Sequence, residues 1–202
     1  MFSGVHLLPF YYPIDGSDAG FDPIDHTQVD SRLGNWTDVK ELGEGYELMA
    51  DLIVNHMSAQ SKEFKDVIKS GKESPYWDLF LTKEKVCPNG LSSEECAKIY
   101  RPRPGSCFTS FALPNNETAD FWTTFTDNQI DIDIKSDIGK DYLSCILKTF
   151  SENNIKSIRL DAAGYAFKKA GTSCFMLDET FEFIDELSKT ANDLGIETLV
   201  EI

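Results

Sequence analysis

Basic residues are scarce in this chain, and histidine and cysteine are scarcer. Its 202 residues carry 19 Lys and Arg against 34 Asp and Glu, a formal net charge of −15. So acidic a surface repels phosphate backbones and anionic headgroups, so neither nucleic acid nor a membrane is an expected partner. No apolar run approaches the roughly 20 residues that cross a bilayer. The start, Met1-Phe2-Ser3-Gly4-Val5, lacks the basic region and long apolar stretch of an export signal, which points to a cytoplasmic protein. The five cysteines, Cys87, Cys96, Cys107, Cys145 and Cys174, are odd in number and form no C-x-x-C pair. Neither a disulfide framework nor a zinc site is indicated. His6, His26 and His56 are too scattered for a histidine-rich metal cluster, so no metal or organic cofactor is expected.

What is present fits a globular domain with a real core: 41% hydrophobic and 26% charged residues. Residues 4–10 form a short apolar run stopped by Pro9, a candidate strand. A polar, turn-rich loop follows through Asp15 to His26, too long for a plain connection and of the kind that carries function. A short helix is predicted from Trp36 to Leu42, closed by Gly43 and Gly45. Residues 47–56 are nearly continuous in apolar side chains apart from Asp51, as in a strand covered on both faces. Residues 139–153 carry Leu143, Ile146, Leu147 and Phe150 at helical spacing. Residues 178–194 form a second amphipathic helix with Phe181, Ile184, Leu187, Ala191 and Leu194 inward, Asp178 as its cap and Gly195 at its end. Strands are predicted at 157–161 and 196–202.

Between 57 and 128 the pattern becomes irregular, with one helix near 61–70 and a Pro- and Arg-rich stretch at 100–105. Trp77, Phe80, Phe108, Phe111 and Trp122 are too many aromatics for a disordered linker. Residues 57–128 are therefore expected to be an inserted subdomain, between barrel strands 2–3 in 1–56 and barrel helices with strands 4–5 in 129–202. Alternating strands and helices argue for a parallel sheet with right-handed crossovers. The expected fold is α/β, a partial (β/α)8 TIM barrel of about strands 2 to 5, with a flavodoxin-like open sheet as the alternative.

The chemistry centres on Ser157-Ile158-Arg159-Leu160-Asp161. Arg159 and Asp161 are two apart and share one face of a strand. A guanidinium there is expected to keep Asp161 ionised, as a nucleophile requires. A structural ion pair at a strand end is the alternative. Glu201 lies one βα unit further on. Two carboxylates across a cleft suit retaining glycosyl transfer: one attacks the anomeric carbon, and the other is acid and then base and needs a raised pKa.

Three stretches, Asp51-Leu52-Ile53-Val54-Asn55-His56, Ile158-Arg159-Leu160-Asp161-Ala162 and Thr198-Leu199-Val200-Glu201-Ile202, resemble signature strands of the α-amylase superfamily (glycoside hydrolase family 13). Residues 18–26, 55–58, 100–105, 122–126 and 170–176 are similar to its branch that phosphorolyses sucrose and related small glucosides. The resemblance implies glucosyl transfer from sucrose or a related α-glucoside to inorganic phosphate, by double displacement. It implies Asp161 as nucleophile, Glu201 as acid/base and Arg159 as the group orienting the nucleophile. It implies Asp18 and His56 as glucose ligands and Phe21 and Phe125 as aromatic walls. It also implies Gln129 and Tyr165 on the acceptor side and Arg103 as the phosphate grip. Each has a plainer alternative: His56 a satisfied strand-end histidine, Asp18 a turn former, Phe21 and Phe125 core residues, Arg103 a solvated charge. An α-glucoside hydrolase using water, or an inactive remnant that binds only sugar or a partner, remain alternative functions.

The resemblance further implies strands before residue 4 and after Glu201, and a third carboxylate with no counterpart here. The chain is therefore expected to be a fragment that, expressed alone, folds poorly and is inactive.

Overall fold

A computed structural model describes residues 3–201. Ten strands are present: β1 Gly4–Leu7, β2 Tyr11–Tyr12, β3 Asp25–Val29, β4 Glu47–Ile53, β5 His56–Ser58, β6 Phe108–Ala112, β7 Thr118–Trp122, β8 Gln129–Asp131, β9 Ile155–Asp161 and β10 Glu197–Val200. The helices are α1 Trp36–Leu42, α2 Lys62–Ser70, α3 Lys83–Val86, α4 Ser93–Lys98, α5 Asp137–Glu152 and α6 Asp178–Asp193. The main sheet runs β1-β4-β9-β10, and every neighbouring pair is parallel. That order follows the chain without reversing. A doubly wound open sheet reverses direction at a switch point, so the flavodoxin-like alternative falls away and the partial barrel stands.

The sheet is covered because its strands are apolar on both faces. Leu48, Ala50 and Leu52 of β4 are fully buried, and Ile158 and Leu160 of β9 join them in one core with Leu143, Ile146, Leu147 and Phe150 of α5. The Ser136 hydroxyl accepts from the Gly139 amide at 3.0 Å and caps α5, a contact of the kind that contributes about 1 kcal/mol. The segment between β5 and β8 has its ends tied by the antiparallel β5–β8 pair. It contains the β6–β7 hairpin and a small cluster of Leu81, Val86, Cys87, Cys107 and Trp122, which Cys174 joins from the loop before α6. Phe64, Phe80 and Phe121 of the same segment pack into the main core. All five cysteines are free thiols. No helix among the described residues is long and apolar enough to cross a membrane.

Several expectations need correction. Residues 47–56 are not one strand: β4 ends at Ile53, and His56 begins β5, which pairs with β8 instead. Asp178 does not cap α6; Leu177 occupies the cap, with no side-chain bond to it. Phe181 points to solvent, and Phe183 takes the place expected of it against the core. Gly43 does end α1, but with right-handed backbone (φ −68°). A Cβ there would lie 2.7 Å from Cβ of Asn154, so close packing, not backbone freedom, requires glycine.

Candidate active site

Strand register assembles the charged groups. β4 against β9 sets Asp51 opposite Arg159 and Ile53 opposite Asp161. β10 against β9 sets Leu199 opposite Arg159 and Val200 opposite Leu160, and Glu201 comes next. These are the C-terminal ends of parallel strands, the face on which barrel sites form. Arg159 is the hub. Its Nε donates to the fully buried Asp51 carboxylate, its Nη1 stands 3.0 Å from Glu201 Oε2, and its Nη2 stands 3.5 Å from Asp161 Oδ1. His6, on the far side, lies 3.2 Å from Asp51 Oδ2.

This geometry corrects the electrostatic expectation. The arginine is engaged first by Asp51 and only loosely by Asp161. Burial pushes the Asp161 carboxyl up to about 7; Arg159 pulls it down, while the charges of Glu201 and Asp51 and a hydrogen bond with Glu201 push it up again. Asp161 is therefore not held firmly ionised: burial works against its charge, and the one cation beside it serves three carboxylates. Burial works against the Arg159 charge too, and Asp51, Glu201 and Asp161 more than offset it. Directly after Asp161, Ala162 takes the left-handed conformation (φ +57°), which a non-glycine residue adopts only where its surroundings enforce it. The turn that follows packs tightly, since a Cβ on Gly164 would meet Met176 Sδ and the Phe175 ring at 2.9 Å.

Asp161, Glu201, Phe125, Tyr165, Phe175 and Met176 line one cleft of about 240 Å3. The Phe125 ring lies 5.2 Å from that of Tyr165 and 5.1 Å from that of His56. His56 is buried, and its Nε2 is 2.9 Å from the Phe21 carbonyl oxygen. The Phe21 ring in turn sits 5.6 Å from the Arg159 guanidinium carbon. Gln129 donates through Nε2 to Asp18 Oδ2 at 2.9 Å, and Arg103 pairs with Asp18 Oδ1 at 3.1 Å. All ten residues singled out from the sequence thus fall into one connected network of contacts.

Five further residues of the site were given no role from the sequence. Asp51 begins one of the signature stretches and was given no role of its own, yet it is the main partner of Arg159. Phe175 and Met176 wall the cleft from a loop with no periodic signal. Asp22 is a buried carboxylate accepting from the Ser17 amide (2.9 Å) and hydroxyl (2.8 Å), the Asp18 amide (3.1 Å) and Asn128 Nδ2 (2.9 Å). It clamps the turn that presents Asp18. Lys168, buried behind His56, pairs with Asp131 at 2.8 Å. A carboxylate inside the run Ile130-Asp131-Ile132 needs a cation, which was the one available signal; the position of that cation in the sequence was not.

The fold and site define a class: a partial (β/α)8 barrel with a carboxylate–arginine cluster at the C-terminal ends of its strands. More particularly, the chain belongs to the α-amylase family, since residues 1–192 match the family model "Alpha amylase, catalytic domain". It is 55% identical over 202 residues to a sucrose phosphorylase of Agrobacterium vitis, covering 100% of this chain and 41% of that protein. It is 50% identical over 202 residues to a sucrose phosphorylase of Bifidobacterium adolescentis, covering 100% and 40%. The crystal structure of sucrose 6F-phosphate phosphorylase from Thermoanaerobacter thermosaccharolyticum superposes with a TM-score of 0.94 at 36% identity, covering 100% of this chain and 42% of that one. The chain spans about two fifths of the length of the curated relatives it matches.

Proposed function

We propose that this segment supplies the nucleophile, the acid/base and most of the donor subsite of a retaining glucosyltransferase acting on sucrose or a related α-glucoside, with inorganic phosphate as acceptor. The observation that carries the reading is the cleft in which Asp161 and Glu201 meet under Phe125 and Tyr165, with Arg159 between them. Asp161 attacks the anomeric carbon while Glu201 protonates the departing oxygen; phosphate, deprotonated by Glu201, then takes the glucosyl group as α-glucose 1-phosphate. Asp18 and His56 hold the sugar, Phe21 and Phe125 flank its cationic transition state, and Gln129 and Tyr165 face the acceptor. Arg103, with donors beyond the one given to Asp18, grips phosphate. The mechanism calls for no metal or organic cofactor.

Residues 57–128 act in this reading as the inserted subdomain that brings Arg103 and Phe125 over the strand ends of 1–56 and 129–202. Phosphate as a substrate, and the relatives named as phosphorylases, favour a cytoplasmic setting. The test is an assay of the completed barrel with sucrose and inorganic phosphate. α-Glucose 1-phosphate, lost in Asp161→Asn, supports the proposal. Free glucose without the phosphate ester makes the protein a hydrolase, and neither product leaves only a binding role. Arg103→Ala is expected to lower phosphorolysis about tenfold relative to hydrolysis, as loss of a charge-assisted hydrogen bond does; an equal fall in both removes Arg103 from the phosphate site.

A further inference from the structure

Lys168 is buried, and all three of its ammonium donors are used. They go to Asn55 Oδ1 at 2.9 Å, to Asp131 Oδ2 at 2.8 Å and to the Tyr165 carbonyl. An ammonium has no acceptor. The atom that Asn55 turns toward it is therefore the carbonyl oxygen, and the other end of that amide is an NH2. That NH2 lies 3.3 Å from His56 Nδ1. Two donors do not face each other in a buried site, so His56 Nδ1 accepts. A neutral imidazole has one donor and one acceptor nitrogen. The proton then sits on Nε2, which donates to the Phe21 carbonyl at 2.9 Å.

We propose that Lys168 is a positioning residue that, through Asn55, locks His56 in the Nε2–H tautomer. His56 then holds its one N–H on the Phe21 carbonyl and ties the Asp18–Phe21 turn to the start of β5. The opposite tautomer has its own attraction. Gln129 Nε2 lies 3.0 Å from His56 Nε2 and would donate to it. Its cost is an N–H from His56 facing the NH2 of Asn55, and a Phe21 carbonyl without its 2.9 Å donor. In the proposed tautomer the Gln129 NH2 directs its two hydrogens past the protonated Nε2, to Asp18 Oδ2 at 2.9 Å and the Phe21 carbonyl at 3.4 Å, while its oxygen accepts from the Thr126 hydroxyl at 2.8 Å.

The significance for sugar binding rests on the proposed glucosyl transfer; the tautomer does not, and it is read without substrate. In the completed barrel, 15N-histidine labelling and long-range proton–nitrogen spectra report each ring, with His56→Gln identifying the signals of His56. Wild type is expected to show His56 protonated at Nε2. Asn55→Asp, which turns an acceptor toward Nδ1, is expected to move the proton to Nδ1. Lys168→Met/Asp131→Asn, which removes the cation without stranding its buried partner, is expected to let Asn55 turn over, so that Nε2 loses its full occupancy. An Nδ1–H wild type overturns the proposal. So does a double variant that keeps Nε2 fully protonated, since Lys168 would then set nothing.

Discussion

Two cations lie at the strand ends of this barrel segment, and they are treated in opposite ways. Lys168 meets one carboxylate, Asp131, and that carboxylate is itself completed by the Thr124 amide at 3.0 Å and hydroxyl at 2.6 Å. Charge is balanced and every donor is spent. Arg159 meets three carboxylates, of which Asp51 takes the largest share. Charge there is in deficit by two, and at Asp161 burial first, with the charges of Glu201 and Asp51 added, raises the carboxyl to about 7. A balanced buried pair fixes shape, whereas an unbalanced one leaves a group that still exchanges protons near neutrality, where catalytic carboxyls are found.

The largest test of that contrast is catalytic. Asp161→Asn is expected to reduce glucosyl transfer in the completed barrel by on the order of 10⁴-fold or more, the scale seen when a residue of a catalytic unit is removed. A loss of only a few-fold, measured as kcat with sucrose and phosphate, would return the Arg159 cluster to a structural role. On the balanced side the expected effect is on stability. Lys168→Met leaves Asp131 buried without its cation and is expected to cost about 3–5 kcal/mol. The double variant Lys168→Met/Asp131→Asn should recover most of it. Urea unfolding of both variants checks this, and equal losses would show that packing around the lysine stem, not charge, was what mattered.

The same contrast predicts a pH signature. The folded pKa of Asp161, about 7, exceeds the ordinary value of 3.8, so the folded state holds this proton more tightly than the unfolded one. The resulting stabilisation is complete below about pH 4 and is lost as pH rises through 7. Asp161→Asn abolishes the ionisation. The variant is expected to be more stable than wild type by up to about 4 kcal/mol at pH 8, and no more stable at pH 3. Unfolding curves at the two pH values measure the difference; a gain that ignores pH would show that the charge deficit at Arg159 is not borne by Asp161.

How these sites came to be readable, or not, follows from how far apart in sequence their parts lie. The parallel sheet could be read because Glu47–Ile53 and Ile155–Asp161 carry local apolar runs. Arg159 and Asp161 could be paired because a two-residue spacing fixes their faces. The identity of the arginine's first partner could not, because it depends on the register that sets Asp51 against Arg159, 108 residues away. Lys168 and Lys169 are neighbours in the sequence. One is buried against Asp131, while the other is exposed and pairs with Glu179, and nothing local tells them apart. Asp178 was misplaced as a cap because a carboxylate in the first turn favours a helix start without bonding to it.

The smallest expected effect lies at an exposed cation. Arg103 and Asp18 form an ion pair at 3.1 Å with the arginine about half exposed. Water screens such a pair and the long side chain loses entropy in holding it, so exposed pairs contribute about 1 kcal/mol or less. Arg103→Ala is therefore expected to leave the urea midpoint nearly unchanged, even though it connects the 100–105 loop to the Asp18 turn. Asp18 keeps its bond from Gln129, and its turn stays clamped by Asp22. A loss of several kcal/mol would mean that the loop is anchored by this one contact. The division between cations that hold the fold and cations that serve the site would then have to be redrawn with Arg103 on the structural side.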